Sequence, residues 1–195
     1  MEFMKIYPHK SYEAYVKAQI KVNKQKLGWV NVRPRVITDL ICKDYKKVAD
    51  FIICHGTRNG KEQKWFKREF PEAYIIGTEI SYTAKHFTMT IQHDFSEPKK
   101  QWIGKADIVY SNSFDHSFDP DKTIQTWRDQ LKPDIGKIYL EWNDNDSVCE
   151  PADCVKATQS EIVELIENNG LYITSILSPG SRGADVLVCK RKDND

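Results

Sequence analysis

The sequence predicts an α/β protein with a doubly wound, seven-stranded sheet that is mostly parallel and carries helices on both faces. From Ala49 onward, short apolar segments alternate with segments of helical periodicity, a pattern typical of βαβ units. Near the end of the chain, the predicted strands Leu171–Leu177 and Ala184–Cys189 are separated by only six residues. Because a parallel crossover needs a dozen residues or more, the last strand is expected to run antiparallel to the one before it.

Length and composition favour a single domain. The chain has 195 residues, within the roughly 100–200 residues typical of one domain. We expect one domain over residues 1–195, with a helical cap over 1–48, a core over 49–190 and a tail over 191–195. The formal net charge of +1 argues against dedicated nucleic-acid binding and against an electrostatic hold on a membrane.

The sequence also predicts a cytoplasmic location. No apolar run approaches the roughly 20 residues that span a bilayer, and the polar N-terminus lacks the apolar segment of a signal peptide. The five cysteines include no Cys-x-x-Cys pair. We therefore expect neither a disulfide framework nor a zinc knuckle.

The first predicted helix follows Ser11 and allows two interpretations. One face of this helix is apolar and consists of Tyr12, Tyr15, Val16 and Ile20. Lysines occupy the other sides. The helix is either a solvated amphipathic helix packed on the core, or a flap over a ligand or an anionic partner. A second short helix is expected after Pro34.

The other five strands are short apolar segments bounded by polar or turn residues. They are Phe51–Cys54, Ala73–Gly77, Met89–Gln92, Asp107–Tyr110 and Lys137–Leu140. Between them, a helix over Lys61–Phe70 is ended by a proline, and another begins at the Asp-Pro pair 119–120. A capping box over 158–161 begins the last helix, and the Asn-Gly pair 169–170 ends it.

Candidate binding residues lie at four strand ends, because ligands of open α/β sheets bind beyond the carboxyl ends of the strands. The loop Gly56–Gly60 lets backbone N–H groups approach a ligand, or is only a tight turn. Glu79, about 20 residues further on, can accept both hydroxyls of a ribose, or is a surface acid. Asp94 and Phe95 suit an adenine, or form a helix cap and a core contact. The polar segment Ser111–Ser117 lines a pocket, or only leads into the next helix.

In this order the four groups resemble the class I S-adenosylmethionine-dependent methyltransferase family, from about Ala49 to Cys189. The stretch 107–120, with Trp127 and the Leu-Lys-Pro segment 131–133, is especially similar to the family's fourth-strand region. The resemblance implies a Rossmann-like, three-layer α/β/α fold. It also implies S-adenosylmethionine as cofactor and S-adenosylhomocysteine as product.

The resemblance assigns a role to each candidate residue. The groups expected at the methionine end of the cofactor are the backbones of Gly56, Thr57 and Gly60, the side chain of Arg58, and Asn112 with Ser113. Glu79 would hold the ribose and Ile80 would pack on the adenine. Asp94 and Phe95 would frame the edge of the adenine.

Two positions depart from the family pattern. Cys54 stands where the family has an acid at the end of the first strand, and Arg58 replaces the middle glycine. Side-chain contacts to the methionine part are therefore less well supported than backbone contacts. Arg58 either reaches the cofactor carboxylate or binds a surface acid.

The resemblance implies methyl transfer, with O-methylation of a small-molecule or glycan (sugar) hydroxyl as the expected reaction. Catalysis would rest mainly on alignment, with help from a general base. His116 is expected to be that base, ahead of Asp115, because a neutral imidazole can take a proton near pH 7. Asp115, Asp144 and Asp146 offer oxygen ligands for magnesium, but a solvated acidic loop over 141–146 is favoured and no metal site is expected.

Two other functions stay open at this point. The glycine turn and Glu79 also fit an NAD-dependent Rossmann oxidoreductase, although such enzymes usually need a second catalytic domain. A non-catalytic cofactor-binding or interaction module on the same fold is compatible with Cys54 and Arg58 in the glycine motif. Partners are expected to be a small-molecule or glycan acceptor, with no dedicated nucleic acid and no membrane.

Overall fold

The computed structural model describes residues 4–30, 34–144 and 149–192. The strands of these residues are β1 (Lys5–Ile6), β2 (Phe51–His55), β3 (Tyr74–Glu79), β4 (Thr90–Gln92), β5 (Ile108–Ser111), β6 (Lys137–Trp142), β7 (Val155–Lys156), β8 (Leu171–Leu177) and β9 (Asp185–Arg191). The α-helices are α1 (Tyr12–Gln25), α2 (Pro34–Asp44), α3 (Lys61–Glu69), α4 (Pro120–Gln130) and α5 (Gln159–Asn168).

Seven strands form one sheet in the order β4-β3-β2-β5-β6-β9-β8. Neighbours from β4 to β6 pair in parallel, and β9 is antiparallel to both β6 and β8. The predicted mostly parallel sheet with an antiparallel last strand is therefore confirmed. Because β2 pairs with β3 on one side and β5 on the other, the strand order reverses beside β2, where α/β sheets bind ligands. A separate antiparallel pair of β1 and β7 was not predicted.

Successive side chains of each strand pack into different cores on the two faces of the sheet, as strand geometry requires. Ile53 of β2 belongs to the core that includes Trp127 of α4 and Ile162 of α5. Ile52, its neighbour in β2, belongs to the core that includes Ile41 of α2 and, from α3, a buried phenylalanine. The three-layer α/β/α arrangement is confirmed.

The helix starts follow the predicted capping signals. Ser11 accepts a hydrogen bond from the backbone of Ala14 at the start of α1. Asp119 caps α4, with proline at its first position. Thr158 and Glu161 form the predicted capping box at the start of α5. Each side chain satisfies a backbone N–H that has no partner within the helix.

Several predicted boundaries were too short at the carboxyl ends of strands. β6 runs to Trp142, so Glu141 and Trp142 are buried strand residues and not part of a solvated loop. β9 runs to Arg191, so the predicted tail begins inside a strand, and residues 193–195 lie outside the described residues. In the described part of the chain, no helix is long and apolar enough to cross a membrane.

Candidate active site

A cleft enclosing about 490 Å³ of space, part of it open to solvent, lies at the carboxyl ends of β2, β3 and β5, with α1 against it. The sheet edge contributes Gly56, Arg58, Glu79, Ile80, Asp94, Phe95, Ser113 and His116. The helix α1 contributes Tyr15, Gln19, Val22 and Asn23. The residues of the first group were all predicted as site residues from the sequence; those of the second were not.

The glycine loop after β2 is fixed by steric limits on its backbone. Gly56 has φ +70°, and a Cβ at this position would lie 2.5 Å from Cβ of Ser113. Only glycine therefore fits there, and the backbone is left open towards the cleft. Arg58 has φ +44°, a left-handed conformation that is uncommon for residues other than glycine. The loop thus keeps a glycine-like backbone at the position where the sequence departs from the family pattern.

Four predicted site residues do not line the cleft. Thr57 is buried, and its hydroxyl accepts a hydrogen bond from the amide of Gln63 (3.0 Å). Gly60 begins α3 with φ +68°. Asn112 is half-buried, and its Oδ1 accepts from the hydroxyl of Ser113. Asp115 is half-buried beside His116, outside the lining. These four residues do not belong to the lining of the cleft, and their roles in binding or catalysis stay predictions.

The carboxylate of Glu79 is held at the end of β3 by two backbone donors. Its Oε2 accepts from the N–H of Arg58 (3.1 Å) and its Oε1 from the N–H of Ser81 (2.8 Å). Glu79 is only 7% exposed, and this burial raises its pKa, against the effect of the backbone donors and of the nearby His116 and Arg58. Each oxygen keeps room for a further hydrogen bond. Glu79 is thus a fixed acceptor for ligand hydroxyls.

Asp94 and Phe95 follow β4 and are tied to both α1 and α4. Oδ1 of Asp94 accepts from the N–H of Ser96 (2.8 Å), and Oδ2 accepts from the hydroxyl of Tyr12 (2.6 Å). Phe95 packs edge-on against Trp127 at 5.6 Å. The core contact that was left open as an alternative is present, but Asp94 caps a turn and not the helix that this alternative expected. Both residues nevertheless line the cleft.

His116 is oriented by the segment that precedes β7. Its Nδ1 lies 2.7 Å from the carbonyl of Ala152 and 3.3 Å from Oδ1 of Asp153. Nδ1 must carry a proton to bond that carbonyl, so in the neutral ring the lone pair lies on Nε2. Nε2 lies 3.9 Å from Asp115. The structure thus gives His116 the tautomer that a general base requires.

Of the three acids that the sequence offers as oxygen ligands, only Asp115 belongs to a cluster of possible metal ligands in the described part of the chain. Asp144 accepts a hydrogen bond from the backbone of Gln159 at the start of α5, and Asp146 lies outside the described residues. The described residues do bring Asp115, His116 and Asp153 together, with one ligand atom from each within 4.8 Å of the others. Exposed acidic groups of this kind are common without a metal, so this cluster carries no metal assignment.

Two carboxyl groups are buried on the α3 side of the sheet, and sequence reasoning missed them. Glu62 of α3 and Glu141 of β6 each keep one carboxylate oxygen without a partner among the described residues. The hydroxyl of Tyr110 donates to the other oxygen of Glu141. Burial raises the pKa of Glu62 to about 7 and that of Glu141 to about 8. Nothing in their sequence positions, a first helical turn and a strand end, signals such burial.

The α1 residues of the cleft were also missed, although a signal existed. Tyr15, Gln19 and Asn23 are spaced four residues apart and therefore share one helix face. The amide of Gln19 donates to the carbonyl of Ala152 (2.8 Å). Asn23 accepts at Oδ1 from the hydroxyl of Thr83 (2.7 Å). The helix packs on the core and also lines the cleft, so its role as a flap over a ligand stays a prediction.

The sequence matches no protein-family model and no curated protein. Among solved structures, the chain is similar to the Burkholderia thailandensis 1,6-didemethyltoxoflavin-N1-methyltransferase, which was crystallised with 1,6-didemethyltoxoflavin and S-adenosylhomocysteine. The TM-score is 0.73, with 12% identity over 95% of this chain and 92% of that one. The sugar N-methyltransferase KedS8 of a Streptoalloteichus species has a TM-score of 0.63 and 12% identity over 99% and 98%. The 4+2 cyclase SpnF has a TM-score of 0.73 and 11% identity over 100% of both chains. At these identities the likeness shows the fold.

Proposed function

We propose that this chain, which has the fold of the class I S-adenosylmethionine-dependent methyltransferases, transfers a methyl group from S-adenosylmethionine to a hydroxyl of a small molecule or a glycan. The observation that carries the proposal is the presence of Gly56 and Glu79 in one cleft at the strand-order reversal. Gly56 leaves its backbone open to a ligand, and Glu79 offers a fixed acceptor to the hydroxyls of a ribose.

The other lining residues fit the rest of this cofactor. Ile80 and Phe95 offer apolar surface to an adenine ring. Arg58 offers a cation to the carboxylate of the methionine part. Asp94 is a suitable acceptor for the adenine amine, which would share the carboxylate with Tyr12 or take the place of its hydroxyl. The unpartnered buried amide nitrogen of Asn23 is a further sign of a missing polar ligand.

The bound cofactor would supply a methyl group already activated by the positive charge of its sulfonium, so the protein mainly has to align the acceptor. His116 would accept the proton of the acceptor hydroxyl at Nε2. The carbonyl of Ala152, at 2.7 Å from Nδ1, would hold the ring during this transfer. Asp153, at 3.3 Å from the same nitrogen, would stabilise the imidazolium that results.

A small acceptor is supported by the names of two similar structures. One of these enzymes is named for a toxoflavin precursor and the other for a sugar. Both are N-methyltransferases, whereas the free Nε2 of His116 favours a hydroxyl, which must lose a proton. The name of SpnF favours a second candidate, a protein that keeps this fold for a role other than methyl transfer.

The first experiment is titration calorimetry of the purified chain with S-adenosylhomocysteine, with NAD and NADP as controls. We expect micromolar binding of S-adenosylhomocysteine alone. The Glu79→Ala variant should lose this binding, whereas the Glu164→Ala variant, an exposed acid of α5, should keep it. Absence of S-adenosylhomocysteine binding by the unmodified chain would contradict the proposal.

The second experiment separates methyl transfer from the second candidate. The chain is incubated with S-adenosylmethionine carrying a labelled methyl group and with a panel of sugars and small hydroxyl compounds. Label in an ether linkage of the product would support the proposed reaction. Tight binding of the cofactor without transfer to any hydroxyl or amine would favour the second candidate.

A further inference from the structure

Asn23 of α1 has a buried amide group that is only half satisfied. The residue is 6% exposed, and it lines the cleft together with Glu79 and Ile80. Its Oδ1 accepts a hydrogen bond from the hydroxyl of Thr83 (2.7 Å), which fixes the orientation of the amide. Its Nδ2 has no hydrogen-bond partner among the described residues. A buried donor without an acceptor is unfavourable, so this atom calls for a ligand.

The helix α1 encloses this nitrogen between itself and the sheet edge. A partner for Nδ2 must therefore come from the cleft, which Asn23 lines. The C-terminal end of α1 is itself tied to the glycine loop, because the amide of Asn59 donates to the carbonyls of Leu27 (3.0 Å) and Trp29 (2.9 Å). Asn23 thus lies on a helix whose following segment is joined to the glycine loop, where the cofactor is proposed to bind.

The chemistry of Asn23 complements that of Glu79. An ionised carboxylate only accepts hydrogen bonds, and the Nδ2 of asparagine only donates them. A hydroxyl does both, so one hydroxyl can donate to Glu79 and accept from Asn23. A ribose offers two neighbouring hydroxyls of this kind.

We infer that Asn23 is a specificity residue that donates from Nδ2 to a ribose hydroxyl of the cofactor, so that α1 and β3 hold the ribose from two sides. The inference rests on the proposed function, and it adds a residue to the site that the strand ends alone do not supply. Thr83 acts as a positioning residue, because its hydroxyl holds the other end of the amide.

The test compares the affinities of S-adenosylhomocysteine and of its 2′,3′-dideoxy analogue by calorimetry. The Asn23→Ala variant should bind S-adenosylhomocysteine about tenfold more weakly, and it should bind the analogue with the same affinity as the unmodified chain.

Asn23→Asp keeps the size of the side chain and the acceptor for Thr83, but it replaces the donor by a second carboxylate beside Glu79, so the loss of affinity should be larger. Thr83→Val should give a smaller loss of the same selectivity. Lys21→Ala, on the exposed side of α1, is the matched control and should change neither affinity.

Thermal unfolding without ligand separates binding from folding. Asn23→Ala removes the acceptor of the buried Thr83 hydroxyl together with the unpartnered Nδ2, so we expect a lower unfolding temperature, and the difference between the two ligands, not the stability, isolates the contact of Nδ2. Equal weakening of both ligands, or no weakening of either, would overturn the inference while leaving the proposed function standing. Failure of the unmodified chain to bind S-adenosylhomocysteine would overturn the proposed function and the inference with it.

Discussion

The hydroxyl of Tyr12 donates a 2.6 Å hydrogen bond to Oδ2 of Asp94, which joins the first turn of α1 to the sheet edge. Burial, together with this bond, raises the pKa of Tyr12, so its hydroxyl stays a donor at physiological pH. From sequence, the same carboxylate is expected to receive the amine of an adenine. Asp94 therefore has two possible partners, one on the protein and one on the ligand. We regard the Tyr12 contact as the bond that closes α1 over the cleft.

Replacing Tyr12 by Phe should speed up both the binding and the release of S-adenosylhomocysteine. The variant keeps the ring and removes the hydrogen bond that ties the first turn of α1 to Asp94, so we expect α1 to separate from the sheet edge more readily. Tyr12 is 40% exposed, so solvent weakens this bond, and we expect a change of several-fold, equivalent to about 1 kcal/mol. Stopped-flow fluorescence measures both rates. Tyr172→Phe, an exposed tyrosine of β8, is the control, and unchanged rates in the Tyr12 variant would show that the bond does not limit entry.

Replacing Arg58 by Gly should separate the backbone of the loop from its side chain. The left-handed φ of +44° suits glycine, and this gain is offset by the greater freedom of glycine in the unfolded chain. We therefore expect the free energy of unfolding to change by less than about 1 kcal/mol. Affinity for S-adenosylhomocysteine should fall, because Arg58 is proposed to bind its carboxylate. Affinity for methylthioadenosine, which lacks the amino-acid part, should not change.

If both ligands are weakened equally by Arg58→Gly, the side chain does not act at the carboxylate. Calorimetry with the two ligands decides this, and denaturant unfolding checks the stability. Lys61→Ala, an exposed residue at the start of α3, is the control for a simple loss of positive charge near the loop.

The sequence predicts those parts of the fold and site that depend on local chemistry. The strand ends that carry Gly56 and Glu79 were identified because glycine and an acid at that spacing follow short apolar strands. Asn23 was not identified, because its role depends on where α1 packs, and a polar residue on a lysine-rich helix resembles many solvated ones. Glu141 was assigned to an acidic loop, because periodicity does not show that β6 continues two residues further into the core.

The buried Glu141 should make the stability of the chain depend on pH. Its carboxyl has a pKa of about 8 in the folded chain, raised from 4.5 by burial. Below pH 4.5 both states hold the proton. Between pH 4.5 and about 8 the unfolded chain loses it while the folded chain keeps it, so the free energy of unfolding falls as pH rises through this window.

The Glu141→Gln variant removes this titration and keeps an oxygen for the hydroxyl of Tyr110. The free energy of unfolding of this variant, relative to that of the unmodified chain, should rise with pH. At pH 8 the variant should be more stable than the unmodified chain by at least about 1 kcal/mol. Urea unfolding at several pH values measures the difference. Glu62 is also buried and should contribute in the same direction at slightly lower pH, whereas the exposed control Glu164→Gln should follow the unmodified chain. A constant difference between pH 5 and pH 8 would contradict the raised pKa.

Replacing His116 by Gln should lower kcat for a hydroxyl acceptor by about a hundredfold or more, because a general base typically contributes 10²–10⁴-fold. Glutamine can still donate to the carbonyl of Ala152, so the affinity for S-adenosylhomocysteine should change little.

Asp153→Asn is the companion variant. It removes the charge 3.3 Å from Nδ1, so it should lower kcat less than the His116 variant does. A loss of cofactor affinity equal to the loss of kcat in the His116 variant would assign the histidine to binding. An unchanged kcat would show that His116 is not the general base of the reaction.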